Sequence, residues 1–308
     1  VRAELYFGEG VNPDRLSPAQ LERLRENIIR RYHLRDPFPV QYAIWIGSLL
    51  QGNWGYSPTL RDQVLPALIR RTPVTAELAL YSILGFMPLG LMSGLAAAGK
   101  KNRSPDIIFR LSAFVATSLP TFILALVMMA IFYVVLGWFP PERLGIQSSL
   151  FVNSGKFQIY TGFLTIDGFL NHRPDISLDA LRHLVMPVIT LSLLHWATLG
   201  RVTRAAALEE LQKQYAVAAT ARGLPPRLVV WRHVFRNVLS PALTSSALSA
   251  ASLFSGVFIV EVIYNFKGLS DLVLSVRALP EPTPILGFAV YSVLIILLLM
   301  FFLDVVQA

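Results

Sequence analysis

The chain has 308 residues, of which 54% are hydrophobic and only 15% charged, with a formal net charge of +8 and no cysteine, and its mean hydropathy is +0.54. Soluble domains carry roughly 25% charged residues, so this composition argues against an ordinary water-soluble fold, and the lack of cysteine excludes disulfides and thiolate metal sites. Long apolar windows alternate with short charged ones, the pattern of an all-α polytopic membrane protein, and the excess of basic residues sits in the connections, where membrane topology explains it better than nucleic acid does.

The opening residues lack a basic stretch followed by an apolar core, so they do not read as a signal peptide. Residues 1–72 are polar to mixed. Ser17-Pro18-Ala19-Gln20 begins a helical pattern, with Ser17 as N-cap, Pro18 at the first helical position and Leu21, Leu24 and Ile28 at helix spacing. After Asp36-Pro37-Phe38-Pro39, the aromatics Tyr42, Trp45, Trp54 and Tyr56 suit either a membrane–water boundary or a small soluble core.

Five windows are long enough to span, at about 73–98, 110–137, 184–205, 238–263 and 284–306. The first holds Gly90 and Gly94, a small-xxx-small spacing that lets helices approach closely. Pro120 and Pro187 are the expected kinks. The connection 99–110 holds Lys100, Lys101, Arg103 and Arg110 against Asp106. The connection 201–237 holds Arg201, Arg204, Lys213, Arg222, Arg227, Arg232 and Arg236 against Glu209 and Glu210. Basic connections are cytoplasmic by the positive-inside bias. This predicts an extracytoplasmic segment 1–72, a transmembrane domain 73–308 with a cytoplasmic C-terminus, and a sixth span preceding Val1.

Familiar catalytic patterns are missing. Gly94 to Lys101 nearly matches a phosphate loop, but Lys101 stands where the Mg²⁺-binding hydroxyl belongs, and the stretch ends a membrane helix. No H-E-x-x-H or G-x-S-x-G occurs, and His33, His172, His183, His195 and His233 have no metal-ligand spacing. His195 lies mid-span, where a polar residue suits either a translocation path or a hydrogen bond to a neighbouring helix. Glu261 and Asp304 lie near span ends and suit snorkelling, pairing with another subunit, or a transport role.

The stretch Gln214 to Pro241 carries four arginines and a histidine with no carboxylate. Residues 205–222 are rich in helix formers. Arg222-Gly223 then predicts a helix stop and Pro225-Pro226 a new start, so two helices meet at a sharp elbow. On a helical wheel Val230, Trp231, Val234, Phe235 and Val238 fall on one side, and Arg232, His233, Arg236 and Asn237 on the other. Such an elbow suits a docking site for a force-generating partner, and equally a helix resting on anionic lipid.

The run Val217-Ala218-Ala219-Thr220-Ala221-Arg222-Gly223 resembles the E-A-A-x-x-x-G loop of binding-protein-dependent ABC transporter permeases, with Val217 in the acidic position. The wider set Tyr215, Leu224, Arg232-His233, Arg236-Asn237 and Pro241 is similar to the dipeptide/oligopeptide (and nickel) branch. Gly55-Tyr56-Ser57, Thr75 to Leu80, Leu136 to Pro140, Leu181 to Pro187, Arg201 to Arg204, Glu261 to Tyr264 and Gly268-Leu269 extend the resemblance along the chain. The resemblance implies a six-span permease subunit in a prokaryotic cytoplasmic membrane, moving di- or oligopeptides by alternating access. It implies a second homologous permease, two cytoplasmic ATPases that hold the ATP and Mg²⁺, an extracytoplasmic binding protein, and no cofactor or catalysis in this chain. Ala218, Ala219, Arg222, Gly223, Leu224 and Pro225 would form the coupling elbow, while His195 and Glu261 are candidates for the path or an interface. A stand-alone secondary transporter or channel is the alternative; that class calls for paired charges deep in the spans or helices broken at the midplane.

Overall fold

The computed structural model describes residues 17–31, 35–276 and 281–307, without the side chains of Arg31, Leu303, Asp304, Val306 and Gln307. His33 and the Asp304 carboxylate thus lie outside the described residues. In chain order come α1 (Pro18–Arg31), α2 (Phe38–Leu50), β1 (Tyr56–Ser57), β2 (Asp62–Gln63) and α3 (Val64–Ala98). There follow α4 (Ser104–Ser118), α5 (Thr121–Val135), α6 (Ile146–Val152), α7 (Leu164–Leu170), α8 (Pro174–Glu210) and α9 (Gln214–Ala221). The chain closes with α10 (Pro226–Ile263), α11 (Leu269–Ser275) and α12 (Pro282–Gln307).

Helices α3, α8 and α10, with α12 up to Phe302, are each long and apolar enough to cross a membrane, and α4 with α5 makes a fifth candidate if the bent pair counts as one span. The window 110–137, expected as one span, is therefore corrected to two helices bent by 100°. The cause is local. Pro120 has no N–H and excludes helical backbone from the residue before it, and Leu119 is extended at φ −96° and ψ 125°. Pro73, Pro88, Pro187 and Pro241 all sit inside continuous helices, so of the two expected kinks only the one at Pro120 breaks a helix. The helices also outrun their apolar windows. At 1.5 Å per residue α8 is about 55 Å long, against about 30 Å of hydrocarbon, so its polar ends project.

The chain divides into two compact units, 1–72 with 268–294, and 73–267 with 295–308. In the first, Ser17 and Gln20 form a reciprocal capping box, Ser17 N to Gln20 Oε1 at 3.0 Å and Gln20 N to Ser17 Oγ at 3.3 Å, which satisfies donors the helix start would otherwise orphan. On α2, a helix with no buried residue, Phe38 stacks on Tyr42 and Tyr42 meets Trp45 at a tilt of 44°. The β1–β2 hairpin is pinned by buried Glu281, which accepts from Ser57 Oγ and from the Thr59 backbone N–H at 2.9 Å.

In the second unit α8 is the central helix, packed by α10, α7, α4 and α5. Leu78, Phe86, Leu191, Leu253 and Val257 belong to its main core. The small-xxx-small expectation is realised here: a Cβ on Gly94 would sit 2.5 Å from the Gly200 carbonyl oxygen and 2.8 Å from Thr203 Cβ, so α3 and α8 meet backbone to backbone. One buried carboxylate locks the connection between α5 and α8. Glu77, 1% exposed, accepts from Arg143 Nη2 at 2.5 Å and from Thr165 N and Oγ1 at 2.9 and 2.7 Å. Arg143 in turn donates to the Gly162 carbonyl.

Candidate functional site

The single helix expected over 205–222 is broken at 211–213. Lys213 turns extended (φ −71°, ψ 150°) as the N-cap of α9, and its Nζ folds back 2.5 Å onto Glu210 Oε1. Glu210 also accepts from Tyr215 Oη at 2.6 Å and from Asn237 Nδ2 at 3.3 Å. One carboxylate at the end of α8 therefore ties together the break, α9 and α10. Partial burial, then the bond to Glu210, raises the Tyr215 phenol above its ordinary value. Sequence reading counted Glu210 only as a topology charge; its spacing of three from Lys213 and five from Tyr215 was the available signal.

The elbow follows from backbone chemistry. Arg222 caps α9, and Gly223 adopts φ +80°. Gly223 N–H donates to Thr220 O at 2.9 Å and Leu224 N–H to Ala219 O at 3.3 Å, the paired bonds of a Schellman stop. Leu224 and Ala219 both join the main core, supplying the apolar contact of that motif. Nothing lies within 4 Å of a Cβ placed on Gly223, so the requirement for glycine is one of backbone conformation rather than space. Pro225 is the N-cap of α10 and Pro226 its first residue, where the missing N–H costs nothing.

Packing divides the elbow into an anchored side and an open side. Ala216, Ala219, Val229, Val230, Val234 and Val238 are buried, and Leu224 is half-buried. Val217, Ala218, Arg222, Gly223 and Pro225 are exposed. The wheel erred at Trp231, which is 37% exposed, while Val229 is buried. The reason is a π-turn over Val229–Val234; its wider turn shifts the phase of the apolar stripe.

A second polar site lies just before the elbow. Arg204 forks onto Asp106, Nε to Oδ1 at 2.5 Å and Nη2 to Oδ2 at 2.8 Å, and the Asn102 N–H adds a bond at 2.9 Å. Asp106 is fully buried. These residues are 98 apart, and the sequence offered only one hint, a lone acid in a basic connection.

The two intramembrane candidates are separate from the elbow. His195 is 7% exposed and faces the Phe86 ring at 5.4 Å. Its neighbour Trp196 donates Nε1 to Ser93 Oγ on α3 at 3.0 Å. Glu261 is fully buried and accepts from Thr75 Oγ1 on α3, so it points into its own bundle rather than snorkelling to water.

Residues 87–308 match the family described as binding-protein-dependent transport system inner membrane component. The chain is 34% identical over 247 residues to the di/tripeptide transport system permease protein DppB of Pseudomonas aeruginosa, covering 80% of this chain and 72% of that protein. It is 30% identical over 285 residues to the probable D,D-dipeptide transport system permease protein DdpB of Escherichia coli, covering 90% and 79%. The oligopeptide transport system permease protein AppB of Bacillus subtilis is 29% identical over 249 residues, covering 80% and 71%.

Proposed function

Because the chain belongs to the binding-protein-dependent transport system inner membrane component family, we propose that it is the permease subunit of an ATP-driven peptide importer and that its α9–α10 elbow is where an ATPase subunit grips it. The peptide cargo follows from the relatives, which are named for di-, tri- and oligopeptide transport. The observation that carries the coupling role is the division of the elbow: a Schellman turn fixed from beneath by buried Ala219 and half-buried Leu224, with Ala218, Arg222, Gly223 and Pro225 open above. An anchored turn with a free face passes a push on that face into the helices it joins. Two cytoplasmic ATPases, a second permease and an extracytoplasmic binding protein complete the assembly. The basic connections 99–110 and 201–237 face the cytoplasm in this reading, following the charge bias. Residues 1–72 and 138–183 face the binding protein.

In this mechanism ATP supplies the energy in the partner subunits, and this chain supplies the lever. Closure of the ATPases moves α9, and the buried Arg204–Asp106 pair carries the movement from α8 into α4. His195 and Glu261 are proposed to shape the path or an inter-helix contact rather than bind a metal. The test is Gly223→Asp in the complete complex, reconstituted in proteoliposomes and supplied with a panel of short peptides. Uptake and peptide-stimulated ATP hydrolysis fall together while membrane insertion is unchanged. Survival of both activities overturns the coupling role; full transport by the isolated subunit overturns the importer itself.

A further inference from the structure

An open groove of about 450 Å³ is lined by Ile107, Arg110, Leu111 and Phe114 of α4 and by Arg201 of α8. The α4 residues recur at i, i+3, i+4 and i+7, one face of the helix. Ile107, Leu111 and Phe114 are 47%, 61% and 68% exposed, so that face is uncovered within this chain. Arg110 and Arg201 make no ion pair among the described residues. The nearby carboxylate, Asp106, is already held by the guanidinium fork of Arg204. Arg110 lies about 9 Å along α4 from its start, beyond the basic turn with Lys100, Lys101 and Arg103. Two exposed cations beside an apolar trough at the end of a span match a ligand with an anionic head and an apolar tail.

We infer that this groove holds one anionic phospholipid, its phosphate bound by Arg110 and Arg201 and an acyl chain laid along Ile107, Leu111 and Phe114. Charge complementarity favours the lipid over a second protein surface. A covering subunit has to bring carboxylates to both arginines and a matching apolar ridge, whereas each phospholipid carries both features, and basic residues near a membrane surface attract anionic headgroups. The groove is separate from the elbow, so the inference needs only that the chain spans a membrane.

The complete transporter complex is assembled in nanodiscs of phosphatidylcholine with a minority of phosphatidylglycerol, extracted into detergent, and its retained lipid quantified by mass spectrometry. Wild-type complex keeps phosphatidylglycerol preferentially. Retention falls about fivefold for each of Arg110→Gln and Arg201→Gln, from roughly 1 kcal/mol per basic residue at an anionic surface, and the double lysine variant keeps most of it. Equal phosphatidylglycerol in the wild type and an assembled double glutamine variant overturns the proposal. Since that variant is of use only if it assembles, a photoreactive benzoylphenylalanine at position 111 of the otherwise wild-type complex gives a second reading. Cross-linking to phosphatidylglycerol supports the site; cross-linking to a protein subunit, to phosphatidylcholine alone, or to nothing overturns it.

Discussion

The Glu77 lock and the α9–α10 elbow are built on opposite plans. Glu77 is buried and answered by Arg143 and Thr165, so the connection from α5 to α7 is clamped by charge-assisted bonds within the chain. At the elbow one carboxylate, Glu210, ties the hinge from its side, and nothing lies within 4 Å of a Cβ placed on Gly223 at the tip. A segment closed on itself is built to hold a shape. A segment anchored on one face and bare on the other leaves that face open to the partner proposed above.

That contrast can be broken in order of effect. Arg143→Ala leaves Glu77 as an unpaired buried charge, a loss of about 3–5 kcal/mol; a large drop in melting temperature and yield of the purified complex is expected, and Glu77→Gln in the same background should recover part of it. Gly223→Val forces a branched side chain into φ +80° at about 1–2 kcal/mol, with uptake lost and melting temperature nearly kept, whereas Gly223→Asn, which tolerates that conformation and adds no charge, retains more transport than Gly223→Val or the charged Gly223→Asp. If Gly223→Val melted the protein as Arg143→Ala does, the elbow would be a structural clamp like the other. Glu210→Gln weakens the bonds from half-buried Glu210 to exposed Lys213 and Tyr215, about 1 kcal/mol, and should lower the ratio of peptide uptake to ATP hydrolysed more than it lowers stability. The smallest effect is Tyr215→Phe, one hydrogen bond of about 0.5–1.5 kcal/mol, measurable as a slight uncoupling with no change in yield.

Much of this organisation was readable before any coordinates. Hydrocarbon thickness requires about 20 apolar residues in a row, so each of the five windows lies on a long helix or, at 110–137, on a bent pair. The Gly223 stop and the Pro225-Pro226 restart were equally legible, because both depend on the φ preferences of adjacent residues. The errors arose where local preference met tertiary demand. The window 110–137 read as one span because apolar content says nothing of the angle at Pro120. Trp231 was assigned to the buried face because a helical wheel assumes a constant turn, and the π-turn at Val229–Val234 is not predicted by composition.

By itself, the sequence determined the class of the protein, the apolar windows on which its long helices lie and the Gly-Pro geometry of the elbow, all properties of contiguous residues. Only the tertiary structure decided the partners of its charges: Arg204 with Asp106, Arg143 with Glu77, Glu261 with Thr75, and Glu210 with Asn237. The physical reason is distance along the chain. Backbone torsions and membrane thickness act on neighbours, whereas a buried carboxylate is satisfied by whichever donor the packed helices bring beside it, and that placement is set by the sum of their interlocking faces.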